Sequence, residues 1–83
     1  MECKNYLGYK VYENGNVENK KGVILKPQIK GGYSFYKING KKISSGQIVL
    51  FAFSIYPKYS SQKAKRKDKD ISNNSLENLE WKI

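Results

Sequence analysis

The chain has 83 residues, with 16 Lys or Arg against seven Asp or Glu, a net charge of +9 and a pI near 9.7. That length makes one domain, 1–83, and the charge favours a polyanionic partner. The single cysteine, Cys3, excludes an internal disulfide and a cysteine zinc site, and the lack of His removes the commonest general base and metal ligand.

Only 39% of the residues are hydrophobic, but 13% are aromatic, and large rings give a small core more buried area per residue. Fifteen of the sixteen cations are lysines; Arg66 is the exception. Lysine is a mobile point charge suited to phosphates, whereas arginine is the usual bidentate reader of guanine edges. The composition therefore favours gripping a nucleic-acid backbone over reading bases. No apolar run is long enough to span a bilayer and no secretory pattern opens the chain, which gives the expectation of a cytoplasmic protein with no membrane partner.

In chain order, Tyr9, Val11 and Glu13 alternate with Lys10 and Tyr12 before Asn14-Gly15, which predicts a two-residue hairpin turn. Residues 16–19 form the return strand, Lys20-Lys21-Gly22 a second turn, and 23–26 a strand stopped by Pro27. Gly31-Gly32 punctuates the chain again. Residues 33–38 form the strongest strand, rich in aromatic and β-branched side chains, and Asn39-Gly40 turns it back through 41–43. Residues 6–43 thus read as an antiparallel β-meander.

The pattern then changes. Ser44 and Gln47 have capping-box spacing, and the apolar run at 48–53 predicts a buried helix over 44–56, ended near Tyr56-Pro57. A polar connector follows, then a charge run over 63–70 with five cations and two acids. Asn74 and Glu77 have the spacing of a second capping box, and Leu79, Trp81 and Ile83 alternate with polar residues as a terminal strand.

The segment Lys65-Arg66-Lys67-Asp68-Lys69-Asp70-Ile71-Ser72-Asn73-Asn74-Ser75-Leu76-Glu77-Asn78-Leu79-Glu80-Trp81 resembles the HNH family of homing-endonuclease-like phage nucleases, whose form there is N-H-x-D-G-x-x-x-N-N-x-x-x-N-L-x-W. Residues 47–53 are similar to the family's R-L-V-x-x-A-F helix. Tyr12, Asn14-Gly15, Val17, Lys21-Gly22, Leu25-Lys26-Pro27 and Gly32-Tyr33 are similar to the small module that precedes the nuclease motif. The resemblance spans about residues 6–81. It implies an α+β fold: short antiparallel β-hairpins packed on one buried helix (44–56), followed by a truncated ββα-metal-like finger at 63–83, without metal.

In the family, the motif's His activates water and the residue before it helps to hold the metal. Here these positions are Arg66 and Lys65, which neither accept a proton near neutral pH nor ligate a divalent cation. The family's remaining ligand lies on a helix beyond the Asn-Leu-x-Trp strand, and this sequence ends at Ile83. Lys69 replaces the Gly after the motif's Asp, which weakens the expectation of a sharp turn there. The resulting expectation is a protein that is not an enzyme and takes no metal or cofactor. Asn73, Asn74, Asn78, Leu79 and Trp81 are expected to be structural.

Lys63, Lys65, Arg66, Lys67 and Lys69 form the main candidate phosphate-contacting cluster, with Lys20, Lys21, Lys41 and Lys42 at the hairpin turns as a second set. The leading reading is a non-catalytic nucleic-acid-binding protein of phage type, with DNA expected as the partner ahead of RNA, although the sequence leaves open which the protein prefers. The second is a phage-encoded interaction protein that inhibits a host defence nuclease or nucleoprotein complex.

Overall fold

A computed structural model describes residues 2–83 and shows an α+β fold of three small antiparallel sheets gathered round one helix. The first sheet is a meander of β1 (Cys3–Tyr6), β2 (Tyr9–Tyr12), β3 (Val17–Glu18) and β4 (Ile24–Leu25). The second comprises β5 (Gln28–Lys30), β6 (Tyr33–Ile38) and β7 (Lys41–Ser44), and the third pairs β8 (Lys63–Arg66) with β9 (Leu79–Lys82). Helix α1 (Ser45–Ala52) packs against strands of all three.

The expected meander is therefore two sheets. Pro27 divides them: it lacks a donor for a ladder and separates β4 from β5. The first sheet also begins earlier than expected, because Leu7 and Gly8 both take left-handed backbone and fold Cys3–Tyr6 onto Tyr9–Tyr12. Asn39-Gly40 makes the expected two-residue turn, with both residues left-handed and Ile38 opposite Lys41.

Asn14-Gly15 does not make a two-residue turn. Tyr12 and Asn16 bracket a three-residue loop, in which Tyr12 N–H donates to Asn16 O at 2.8 Å and Gly15 N–H to Tyr12 O at 2.9 Å. Only the glycine is left-handed, at φ 95°, while the Asn14 carboxamide accepts from Asn16 N–H.

Helix α1 is shorter than the sequence suggests. Ser44 sits at its N-cap without a side-chain capping bond, so the Ser44/Gln47 box does not form. The helix stops at Ala52, before Tyr56-Pro57, because Ser54 adopts φ 60° and closes a C-terminal motif. Ser54 N–H bonds to Phe51 O at 3.0 Å and Ile55 N–H to Leu50 O at 2.9 Å. The Asn74/Glu77 box is also absent; Ser75 precedes a short 3₁₀ turn, Leu76–Asn78, again without a side-chain cap.

The core joins Val11 and Val17 of the first sheet, Tyr36 and Ile38 of the second, Leu79 of the third, and Ile48, Val49, Leu50 and Ala52 of the helix. Strand β6 presents Ser34, Tyr36 and Ile38 to one face and Tyr33 and Phe35 to the other, as the two-residue period of a strand requires. Gly46 lets the helix approach the third sheet: a Cβ there would lie 3.0 Å from the Leu79 side chain and 3.4 Å from Ala64 Cβ. Among the described residues no helix is long and apolar enough to cross a membrane.

Gly15 is the tightest junction. A Cβ on it would lie 2.6 Å from the Asn74 carbonyl oxygen, on a backbone already left-handed. The neighbouring Glu13 carbonyl accepts from Leu76 N–H at 2.7 Å, which ties the first sheet to the segment before β9. Gly15→Ala is expected to destabilise the fold by at least about 2 kcal/mol, combining left-handed strain with a backbone overlap. Urea unfolding followed by circular dichroism measures it.

Candidate nucleic-acid interface

Strand β8 alternates. Lys63 and Lys65 are exposed, whereas Ala64 and Arg66 turn towards the helix. Arg66 is therefore not an exposed cation like its neighbours. Its Nε and Nη2 donate to the Asn74 side-chain oxygen at 3.0 and 2.6 Å, and Nη2 also donates to the Ser45 hydroxyl at 2.9 Å. Ser45 in turn has the Ser34 hydroxyl at 2.7 Å, the Ser34 carbonyl at 3.2 Å and the Asn74 oxygen at 3.2 Å within reach of its proton.

Ser34, Ser45 and Asn74 are all buried. The cluster thus joins β6, the start of α1, the loop before β9 and strand β8 through neutral acceptors round one guanidinium. Burial pushes the pKa of Arg66 down, and Asp70 and Asp68 oppose the shift. The group stays charged, because a guanidinium does not lose its proton in a protein.

Asp68 organises the next turn. Its carboxylate accepts from Asp70 N–H at 2.9 Å, Asn78 Nδ2 at 2.9 Å and Asn73 Nδ2 at 2.8 Å. The Asn78 side chain also donates to Asn73 O and accepts from Asp68 N–H. These bonds hold the Asp68 carboxyl below its ordinary range, led by the Asp70 amide, then Asn78 and Asn73. The sharp turn persists in spite of the missing glycine, since Lys69 itself adopts φ 64° and donates its N–H to Arg66 O.

Leu79 is buried and packs in the core, and Trp81 donates its indole N–H to Ile55 O at 3.0 Å and packs against Phe51. Asn73, Asn74 and Asn78 each bond across the loop as described.

A groove of about 640 Å³ opens between β8, the β5–β6 turn and the start of the helix. Four of the five cations in the main predicted cluster line it: Lys63, Lys65, Arg66 and Lys69. Lys67 is exposed but does not line it; its backbone N–H bonds to Asn78 O. Of the second set, Lys20 and Lys21 lie at the β3–β4 turn. Lys41 and Lys42 lie on β7, with Lys42 Nζ 5.1 Å from the centre of the Phe35 ring. None of the four lines the groove. Tyr33, Gln47 and Gln62 also line it, although the sequence does not single them out as binding residues; an aromatic directly after a Gly-Gly turn is the one available signal, for Tyr33.

No protein-family model and no curated protein matches the chain. Among solved structures, it matches the HNH homing endonuclease I-HmuI, in a structure describing DNA binding and cleavage by that enzyme. The TM-score is 0.77 at 29% identity, covering 99% of this chain and 52% of the endonuclease chain. The HNH resemblance read from the sequence thus extends through the fold, and the chain spans about half the length of that enzyme.

The expectation that the protein is not an enzyme is overturned by this match, because the structure it resembles is that of a DNA-cleaving endonuclease.

The residues at the motif do not themselves fit a divalent cation. Both Asp68 oxygens carry hydrogen bonds from N–H donors, its sequence neighbours Lys67 and Lys69 are cations, and the described residues hold no cluster of three or more His, Cys, Asp or Glu.

Two outcomes test this arrangement. Arg66→Lys is expected to lose about 1–3 kcal/mol in chemical denaturation, because an ammonium cannot reproduce the planar fork that serves Asn74 and Ser45 together. For Asp68 the folded pKa is depressed, so its contribution is complete above the ordinary aspartate value and is lost as pH falls through the folded one. The stability gap between the wild type and Asp68→Ala should therefore be open at neutral pH and close in strong acid, as read by unfolding curves at each pH.

Proposed function

We propose that this chain is a DNA-binding domain on an HNH-endonuclease fold that grips the phosphate backbone with Lys63, Lys65 and Lys69. The observation that carries this reading is the convergence of these lysines, with Arg66, along one groove. A chain of net charge +9 attracts any polyanion, but cations lining one concave surface meet a single ligand together. The likeness to an endonuclease that binds and cleaves DNA supports DNA as the polyanion.

The division of labour on β8 fits phosphate contact. Lys63 and Lys65 carry exposed ammonium groups and no side-chain carboxylate partner among the described residues, whereas Arg66 turns Nε and Nη2 to Asn74 and Ser45. Phosphate contacts supply affinity and position without sequence information, which matches a lysine-dominated set.

Binding of duplex DNA, measured by fluorescence anisotropy with a chelator present so that cleavage does not intervene, should fall steeply with salt. The double variant Lys63→Glu/Lys65→Glu should weaken binding and reduce the slope of log K against log salt by about 0.9 for each phosphate no longer neutralised. The matched pair Lys20→Glu/Lys21→Glu, away from the groove, should have a smaller effect. Equal effects from both pairs, or no binding at low salt, would overturn the proposal.

A further inference from the structure

We infer that the groove accepts an unpaired nucleotide of single-stranded DNA, with its base stacked on Tyr33 and its flanking phosphates held by Lys63, Lys65 and Lys69. This rests on the DNA-binding reading and adds a ligand state to it.

Phosphate binding alone accounts for the lysines but leaves the rest of the groove unexplained. Tyr33 stands in its lining and is 48% exposed, a large ring left open in a chain with few hydrophobic residues to spare. The ring is not loose. It stacks on Phe35 with centroids 5.5 Å apart and planes inclined by 22°, and Lys42 lies over the same Phe35 ring. The two residues share the outer face of β6, and Phe35 beneath is almost fully buried. Tyr33 is thus fixed on one side by the fold and open on the other. A pre-set aromatic surface of this kind stacks a base at little entropic cost.

The groove also has side-chain amides in its lining. Gln47 of α1 and Gln62 both line the groove. The Gln62 side-chain oxygen is held by Lys58 N–H at 2.6 Å and Tyr59 N–H at 3.0 Å, which leaves the NH₂ as its remaining polar group. An aromatic surface, amide groups and cationic side chains match the three parts of a nucleotide: base face, base edge and phosphate. The volume of about 640 Å³ lies in the range of sites that take one small ligand. In a duplex both faces of a base are covered by its neighbours, so a stacking surface of this sort is reachable only by a base out of the helix.

The test compares a labelled single strand with a duplex of the same sequence, using the full chain and a chelator. Tyr33→Leu keeps an apolar cover over Phe35 but removes the aromatic face, and Tyr33→Phe keeps the face but removes the hydroxyl. Tyr33→Leu is expected to weaken single-strand binding by about 5- to 150-fold while changing duplex binding by less than about twofold, and Tyr33→Phe should retain single-strand binding. The inference is overturned if Tyr33→Leu leaves single-strand affinity unchanged or lowers both substrates equally. Weakening by Tyr33→Phe equal to that by Tyr33→Leu would also overturn it, since the hydroxyl and not the ring would then carry the contact. If the wild type binds duplex but not single strand, only this inference fails; if it binds neither, the DNA-binding reading fails with it.

Discussion

The contact between the Arg66 guanidinium, the Asn74 carboxamide and the Ser45 hydroxyl is what the rest of the structure hangs on. Each partner belongs to a different part of the chain: β8, the loop before β9, and the first residue of the helix. Ser34 joins from the second sheet. Each sheet is too small to form a core alone, so their relative placement depends on the helix and on this buried knot. The knot is specific where hydrophobic packing is not. A leucine tolerates a small shift, but an arginine forked onto one carboxamide oxygen fixes distance and direction together.

The same contact decides which cations are available to a ligand. Along β8 the strand period sends Lys63 and Lys65 outward and Ala64 and Arg66 inward. A run that looks basic in sequence is therefore split by geometry into exposed cations and one cation used to close the fold. The Asp68 loop is held in the same way. Asn73, Asn78 and the Asp70 amide all donate to its carboxylate, and the turn that follows delivers Lys69 to the groove.

Local signals are legible in the sequence and distant ones are not. Asn39-Gly40 announces its turn because both residues favour left-handed backbone, and residues 33–38 read as a strand from their β-branched and aromatic content. The finger is legible through its Asn-Asn-x-x-x-Asn-Leu-x-Trp pattern. The two capping boxes mislead because the spacing of a Ser or Asn and a later Gln or Glu is a local rule, whereas tertiary partners compete for these side chains. The Asn74 oxygen is taken by Arg66, eight residues away, and the serine that matters is Ser45, buried against Ser34, instead of Ser44 at the cap. Nothing in residue spacing brings Tyr33 to the lysines of β8, since the β5–β6 turn and the third sheet meet only across the helix start.

Lys69 connects backbone strain with surface charge. The related motif has glycine at this place, and the observed φ of 64° is one that glycine adopts freely and lysine adopts at a cost of about 1 kcal/mol. The loop tolerates that cost because the Asp68 carboxylate and the Lys69 N–H bond to Arg66 O over-determine the turn. What the side chain adds in return is an ammonium in the lining of the groove, a charge that glycine has no means to supply. The backbone at this position is worse for the substitution, and the surface is more cationic for it. Lys69 thus belongs with Lys63 and Lys65 in the lining of the groove, while Arg66, the most conspicuous cation in the sequence, also belongs to the framework that holds them.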